Sequence, residues 1–274
     1  MDQESSSAFD LDAYLARIGL AGRPRFAQVH RAHATSIPFE NLDPRRGVPV
    51  ELATEQLERK LVAQRRGGYC FEQNLLLAAA LQALGAEVDL MLARVRLGSE
   101  PGAVRPRSHL LLRVRCEGAE WHADVGFGPG TLLEPLPFGP GPVQDQSGWR
   151  FRVLEDGPEL LLQMAEGEGW VDLYGFRPEP VPFVDLETSN WSTSTHPRSP
   201  FVTGLIVSMQ GKDGTRVSLS DRNGLALTEQ TPAARRVTPV AIEQVPQLLE
   251  ERFSLAGFSL RAGGELLRLE RRAG

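Results

Sequence analysis

Cysteine is nearly absent: Cys70 and Cys116 are the only two in 274 residues. Two thiols cannot staple a secreted scaffold or build a thiol-rich zinc site, so a reducing cytoplasm is expected, where a cysteine is of interest as a nucleophile. Long apolar runs are also lacking. The longest, residues 75–81, falls far short of the ~20 residues that cross a bilayer. The polar, acidic start Met1-Asp2-Gln3-Glu4 lacks the positive charge and apolar stretch of a signal peptide. These absences point to a soluble cytoplasmic protein with no membrane partner. There is no basic excess either. Lys and Arg number 30 against 35 Asp and Glu, a net charge of −5, which argues against a nucleic-acid partner. What is plentiful is punctuation: 27 glycines and 20 prolines predict many turns and short strands rather than a helical bundle. The length suits two domains or one large one with an appendage.

Hydrophobic periodicity changes along the chain. Asp10 precedes Leu11, Tyr14, Leu15 and Ile18 at helical spacing, and Gly19 is placed to end that helix. Further helices are expected at 25–34, 54–62 and 70–84, the last closed by Gly85 and apolar on every side, hence buried. From residue 88 the period falls to two. Strands are expected at 88–97, 109–115, 121–125, 150–154, 160–164 and 170–176, short and turn-rich as in an antiparallel sheet or barrel. Residues 178–200, rich in Pro, Ser and Thr, read as a long crossing loop. Beyond it, strands at 201–209, 217–219 and 225–228 alternate with Asp213-Gly214 and Asn223-Gly224 turns. A helix opened by Pro246 runs to about Phe253, and a last strand lies near the C-terminus.

Cys70 is the candidate nucleophile. It follows Arg66-Gly67-Gly68-Tyr69 and opens the buried helix, beside unpaired backbone N–H groups and the positive end of the helix dipole, a setting that favours a thiolate. The two glycines suggest a tight turn and close approach by a ligand. Cys116, in a turn between strands, has no such setting. A nucleophilic thiol needs a base and an orienter. If the turn near Glu117 has an even number of residues, the hairpin places His109, Leu111 and Arg113 on one face with His122 and Asp124, while Leu110, Leu112, Val114, Trp121, Ala123 and Val125 form a uniformly apolar other face. His109 and Asp124 then share the less apolar side within reach of each other, and His122 lies farther off. An odd turn would break the argument. Val125-Gly126-Phe127-Gly128 follows directly, as close approach for a ligand or as a bulge and turn. His30 and His33 lack a third ligand, so no metal is expected.

At this point the residues become specific. Ile37-Pro38-Phe39-Glu40-Asn41-Leu42, Arg66-Gly67-Gly68-Tyr69-Cys70-Phe71-Glu72-Gln73-Asn74, Ser108-His109, Asp124-Val125-Gly126-Phe127-Gly128, Ser189-Asn190 and Ser199-Pro200-Phe201 resemble, in order, the signature segments of the arylamine N-acetyltransferases. The resemblance spans most of the chain and becomes general beyond about Met209. It implies an α+β protein in three parts: an N-terminal helical bundle (1–86), a central antiparallel β-barrel (87–190) and a C-terminal α/β lid (191–274), with a cysteine-protease-like triad arrangement. It implies a Cys70, His109, Asp124 triad, acetyl-CoA as co-substrate, and arylamines, arylhydrazines or N-hydroxyarylamines as acceptors. It also places Phe39, Phe71, Val95 and Phe127 in the acceptor pocket, where ordinary core packing is the plainer reading of each, Gly126, Gly128 and Phe201 near coenzyme A, and Glu40 with Arg66 in support of the cysteine loop. For Glu40 and Arg66 the plainer reading is a surface ion pair. The competing functions are an amide synthase of the same fold that closes a polyketide macrolactam, a thiol hydrolase, or a non-catalytic binding protein. Oligomeric state leaves no signature.

Overall fold

The structure is a computed structural model, and it describes residues 9–100, 102–260 and 269–271. The N-terminal third follows its caps. Asp10 accepts the Ala13 N–H at 2.9 Å to start the Leu11–Arg17 helix, and Gly19, at φ 74°, ends it. Phe26–Ala34 is helical, and the expected helix at 54–62 begins as Thr54–Leu57 and widens into a π turn at Glu58–Ala63. All pack around the Cys70–Ala83 helix, which is buried without a break from Cys70 to Ala78.

Eight antiparallel strands then form one nearly closed sheet. In spatial order they are Leu136–Pro137, Ala119–Ala123, Arg107–Cys116, Glu87–Val95, Gly169–Phe176, Glu159–Glu166, Trp149–Asp156 and Gln144–Gln146. One side chain ties the two edges. The Gln146 amide oxygen accepts the Leu133 and Glu134 N–H groups at 2.8 and 3.2 Å, and its nitrogen donates to the Glu134 carbonyl at 2.8 Å. Both faces of the wall nearest the helices are buried: Leu110, Leu112 and Val114 pack on the bundle, whereas Met91, Ala93 and Leu111 face the barrel interior.

Residues 178–200 are not a loop. Phe183–Thr195 is a helix, entered after three prolines and rich in hydroxyl residues that on propensity favour turns. Those hydroxyls bond within the helix instead: Thr188, Ser194 and Thr195 donate to the carbonyls of Val184, Asn190 and Trp191, each four residues back. Leu186, Asn190, Thr193 and Ser194 supply its buried face. This helix runs unbroken through residue 190, so a division drawn there falls inside an element.

A five-stranded antiparallel sheet follows, in the order Phe39–Glu40, Ile206–Gln210, Arg216–Ser220, Ala226–Gln230 and Arg235–Pro239. Its first strand comes from the N-terminal part, so residues 39–40 bind that part to the C-terminal sheet. The strand expected from 201 starts at Ile206, because Ser199 caps a helical turn at Pro200–Thr203. Arg235–Pro239 carries no sequence signal, being an edge strand exposed throughout. The Val245–Phe253 helix packs on this sheet, and Phe258–Leu260 pairs with Leu269–Arg271.

Candidate active site

The segment before Cys70 is held by close backbone approach. A Cβ on Gly67 would lie 2.1 Å from the Pro38 carbonyl oxygen, and one on Gly68 would lie 2.7 Å from Glu72 Oε2. Neither residue has a positive φ. The two glycines therefore make room for residues 38–40 and for Glu72, not for a tight turn or a ligand. The Glu40 N–H donates to the Gly68 carbonyl at 3.0 Å, and the Tyr69 N–H donates to Glu72 Oε2 at 3.1 Å. Cys70 is the first helical residue, 3% exposed, with Sγ 3.7 Å from the Ser108 carbonyl oxygen.

The hairpin turn is Glu117-Gly118, an even count, and the register pairs Arg113 with His122 and Leu112 with Ala123. His109 and Asp124 therefore lie on one face, as the parity argument requires. That face is the barrel interior, not a polar surface: His109, His122 and Asp124 are all buried. His109 Nε2–H donates to Asp124 Oδ2 at 2.7 Å, which leaves Nδ1 for the thiol. Burial disfavours the charged ring, but the Asp124 carboxylate and the Cys70 sulfur outweigh it and raise His109 to about 10. Asp124 is lowered to about 2: its burial opposes ionisation, and the charge and hydrogen bond of His109, with N–H donors around it, overcome that.

Asp124 has more partners than His109. Asn74 Nδ2 and the Gly126 N–H donate to Oδ1, each at 2.9 Å, and the Tyr174 hydroxyl donates to Oδ2 at 2.8 Å. His122 Nε2–H donates in turn to the Tyr174 oxygen at 2.7 Å, so His122 belongs to the same network. His30 approaches from the helical part, accepting the Asp124 N–H on Nε2 at 3.2 Å and bonding the Leu133 carbonyl through Nδ1 at 3.2 Å. Burial holds His30 and His122 down at about 4. His33 faces elsewhere, between the Tyr14 hydroxyl and Gln73, so His30 and His33 share no site. Asn74 carried a readable signal, standing four residues after Cys70 on one helix face. Tyr174 carried none, because only barrel closure brings it to Asp124.

Glu40 and Arg66 are not a surface pair. Arg66 donates to Glu40 Oε1 at 2.6 Å and to Asp43 Oδ1 at 3.0 Å, while Lys60 bridges Asp43 and Glu72 at 2.6 Å each. The Glu40 side chain is fully buried and that of Arg66 is 6% exposed. This network fixes the chain on both sides of Cys70.

Cys70 and His109 open onto a cavity of about 360 Å³ whose walls include Phe39, Val95, Phe127 and Phe201. Phe127 stands edge-on to His109, with ring centroids 5.0 Å apart. Phe71 is not in that wall. It points into the helical core, fully buried against Tyr69, because the residue after Cys70 turns about 100° around the helix. Gly126 lines the cavity, but a Cβ there would lie 2.7 Å from Cys70 Cα; Gly128, at φ 72°, is outside the wall, and its carbonyl accepts Gln210 Nε2 at 2.9 Å. The arginines Arg105 and Arg222, which no sequence argument singled out, complete the wall. Cys116 ends its strand, half-buried and away from this cavity. Among the described residues no helix is long and apolar enough to cross a membrane, and no three His, Cys, Asp or Glu side chains group as metal ligands.

A helix-borne thiol facing a barrel-borne histidine and carboxylate defines a cysteine-protease-like fold, and comparison with known proteins narrows the class to acyltransferases. An N-acetyltransferase family model matches residues 24–257. An arylamine N-acetyltransferase of Mycolicibacterium smegmatis is 44% identical over 225 residues, 79% of this chain and 82% of that protein. The arylamine N-acetyltransferase / N-hydroxyarylamine O-acetyltransferase of Salmonella typhimurium is 33% identical over 258 residues, 92% of this chain and 91% of that protein. The solved structure of Mycobacterium marinum arylamine N-acetyltransferase in complex with CoA superposes with a TM-score of 0.85 at 36% identity, covering 90% of this chain and 93% of that one. This chain belongs to the arylamine N-acetyltransferase family.

Proposed function

We propose that the protein transfers an acetyl group from acetyl-CoA through Cys70 to the nitrogen of an arylamine, arylhydrazine or N-hydroxyarylamine, in the cytoplasm and in the handling of xenobiotic amines. The observation that carries this reading is the His109–Asp124 pair at 2.7 Å, closed off beside Cys70 at the base of an aromatic-walled cavity. His109, kept cationic by Asp124, holds Cys70 as a thiolate. The thiolate attacks the thioester carbonyl, the carbon–sulfur bond to coenzyme A breaks as the departing sulfur takes the proton of the His109 imidazolium, and the acetyl group remains on Sγ with His109 neutral. Backbone N–H groups that open the Cys70 helix, at the positive end of its dipole, would stabilise the oxyanion. The amine then enters the vacated cavity and attacks the acetyl-cysteine. His109 accepts its proton as the amide forms and Cys70 leaves as thiolate, a ping-pong sequence.

Aromatic amines suit this site because they are neutral and nucleophilic near neutral pH, and Phe39, Phe127 and Val95 offer an apolar wall to the ring. A cavity of about 360 Å³ fits a single small aromatic better than a macrocyclic acyl chain, which disfavours the ring-closing amide synthase. The aromatic wall around the thiol also disfavours a hydrolase, which must admit water to the acyl-enzyme. Phe71 and Gly128, outside the cavity wall, are not part of this proposal as ligand contacts.

The test is the mass of the protein after incubation with acetyl-CoA alone. One acetyl on Cys70 is expected, removed on addition of an arylamine and absent in Cys70→Ala. Absence of both the adduct and amine-dependent release of coenzyme A would refute the transferase reading.

A further inference from the structure

The cavity wall is electrically one-sided. Among the described residues its only charged side chains apart from Cys70 and His109 are Arg105 and Arg222, with no carboxylate, in a protein whose net charge is −5. The two arginines come from different parts of the molecule. Arg105 precedes the Arg107–Cys116 barrel strand, and Arg222 lies in the turn between Arg216–Ser220 and Ala226–Gln230. Both are exposed, and among the described residues neither has a carboxylate within ion-pair distance, whereas their neighbours do. Arg94 and Arg96 engage Glu159 at 4.0 and 2.8 Å, and Arg45 engages Asp221 at 3.8 Å. Asp221, next to Arg222, also accepts the Leu205 N–H at 2.8 Å. Arg105 donates through Nε to Ser99 Oγ at 3.1 Å, which leaves its terminal nitrogens, and a guanidinium with no carboxylate partner presents a donor fork suited to phosphate oxygens.

Two recesses continue from the cavity, one past each arginine. The one on the Arg105 side, about 750 Å³, shares Val95, Ser99 and Arg105 itself with the cavity and carries Glu100, Asp156, Glu159 and Asp172. Four carboxylates against the three arginines of its wall repel a polyanion. The other, about 290 Å³, continues past Arg222 between Pro200 and Ile206, and among the described residues its one carboxylate is the engaged Asp221. Ser218 and Ser220 add hydroxyls to the cavity wall on this side.

We propose that Arg222, with Arg105 assisting from the barrel side, is a phosphate clamp that reads the nucleotide end of the acyl donor, and that the phosphates run toward the Arg222 recess and away from the acidic groove. This rests on the acyl-transfer reading above. The clamp confers preference for a phosphorylated thioester over a phosphate-free one without touching the chemistry at Cys70.

The experiment measures the rate of Cys70 acetylation in the full chain against donor concentration, with acetyl-CoA and with S-acetylpantetheine, which has the same thioester and no phosphate. Arg222→Gln is expected to raise the half-saturating acetyl-CoA concentration about three- to tenfold, and Arg105→Gln about twofold, as suits charge-assisted bonds at exposed sites. S-acetylpantetheine should respond to neither, and Arg150→Gln, the same charge change on an exposed barrel residue, should alter neither donor. Added salt should weaken acetyl-CoA use in the unaltered protein more than in the double variant. Equal effects on both donors, no effect of Arg222→Gln, or a larger effect of Arg105→Gln would overturn the clamp as drawn. Failure of the unaltered protein to acquire acetyl from either donor would overturn the acyl-transfer reading and the clamp with it.

Discussion

Gly126→Ala is the sharpest test of how the site is assembled. Gly126 follows Asp124 by two residues, and a Cβ there would lie 2.7 Å from Cys70 Cα, 2.9 Å from Asn74 Nδ2 and 3.2 Å from the Cys70 carbonyl oxygen. The nearest contact falls about 0.7 Å short of ordinary van der Waals separation. Two of the three obstacles are backbone of the Cys70 helix, so no flexible side chain can give way. Either the helix start or the segment after Asp124 must move, and each carries one end of the Cys70, His109, Asp124 array. A displacement approaching 1 Å costs on the order of 100-fold in a positioned reaction. Overpacking of this kind costs about 1–3 kcal/mol of stability, or a fall of roughly 2–5 °C in Tm for a chain of this size. Thermal melting and rapid-quench measurement of Cys70 acetylation read both effects. Gly141→Ala, where nothing lies within 4 Å of the added carbon, is the control. If Gly126→Ala kept its Tm and its maximal acetylation rate and only weakened acetyl-CoA binding, Gly126 would be a ligand contact and the packing argument would fail.

Two further outcomes follow from buried charge. Burial depresses His30, His33 and His122 to about 4, 3 and 4, from 6.5 in the unfolded chain. Their contribution is complete above pH 6.5 and is lost as pH falls toward those values, by up to ~4 kcal/mol per pH unit. His109, raised to about 10, has the opposite sign: its contribution is complete below pH 6.5 and fades as pH rises toward 10. Tm should therefore peak near pH 6.5, and a flat Tm from pH 6.5 to 4.5 would refute neutral burial of the three rings. Arg66→Met leaves the fully buried Glu40 carboxylate without its cation, a loss of about 3–5 kcal/mol. Denaturant unfolding measures it, Arg66→Lys should recover part, and a loss below about 1 kcal/mol would mark the pair as surface-like.

Local chemistry was legible where it is self-contained. The Asp10 cap, the Gly19 and Gly85 stops and the evenly apolar run after Cys70 each settle a helix within a few residues, and the count of residues in the Glu117-Gly118 turn settles which face His109 and Asp124 share. The helix at 183–195 was illegible because its hydroxyl residues and flanking prolines favour turns, and only packing against residue 50, the Arg107 strand and Tyr69 selects the helical state. Gly67, Gly68 and Gly126 announced a crowded backbone but not what crowds it, since the obstructing atoms lie elsewhere in the chain.

Sequence alone therefore nominated Cys70, His109 and Asp124: a helix start marks the thiol, and an even turn puts the other two on one face, a parity that the structure supplies. Tertiary structure decided that these groups are buried. It brought Tyr174, 50 residues away, onto the Asp124 carboxylate, and His30, 94 residues away, onto the Asp124 backbone N–H. It also gave the two cysteines, already distinguished by their settings in the sequence, different surroundings. Cys70 lies under a barrel-borne histidine and Cys116 lies at the far end of the same hairpin, a difference made by which end of the barrel the helix meets.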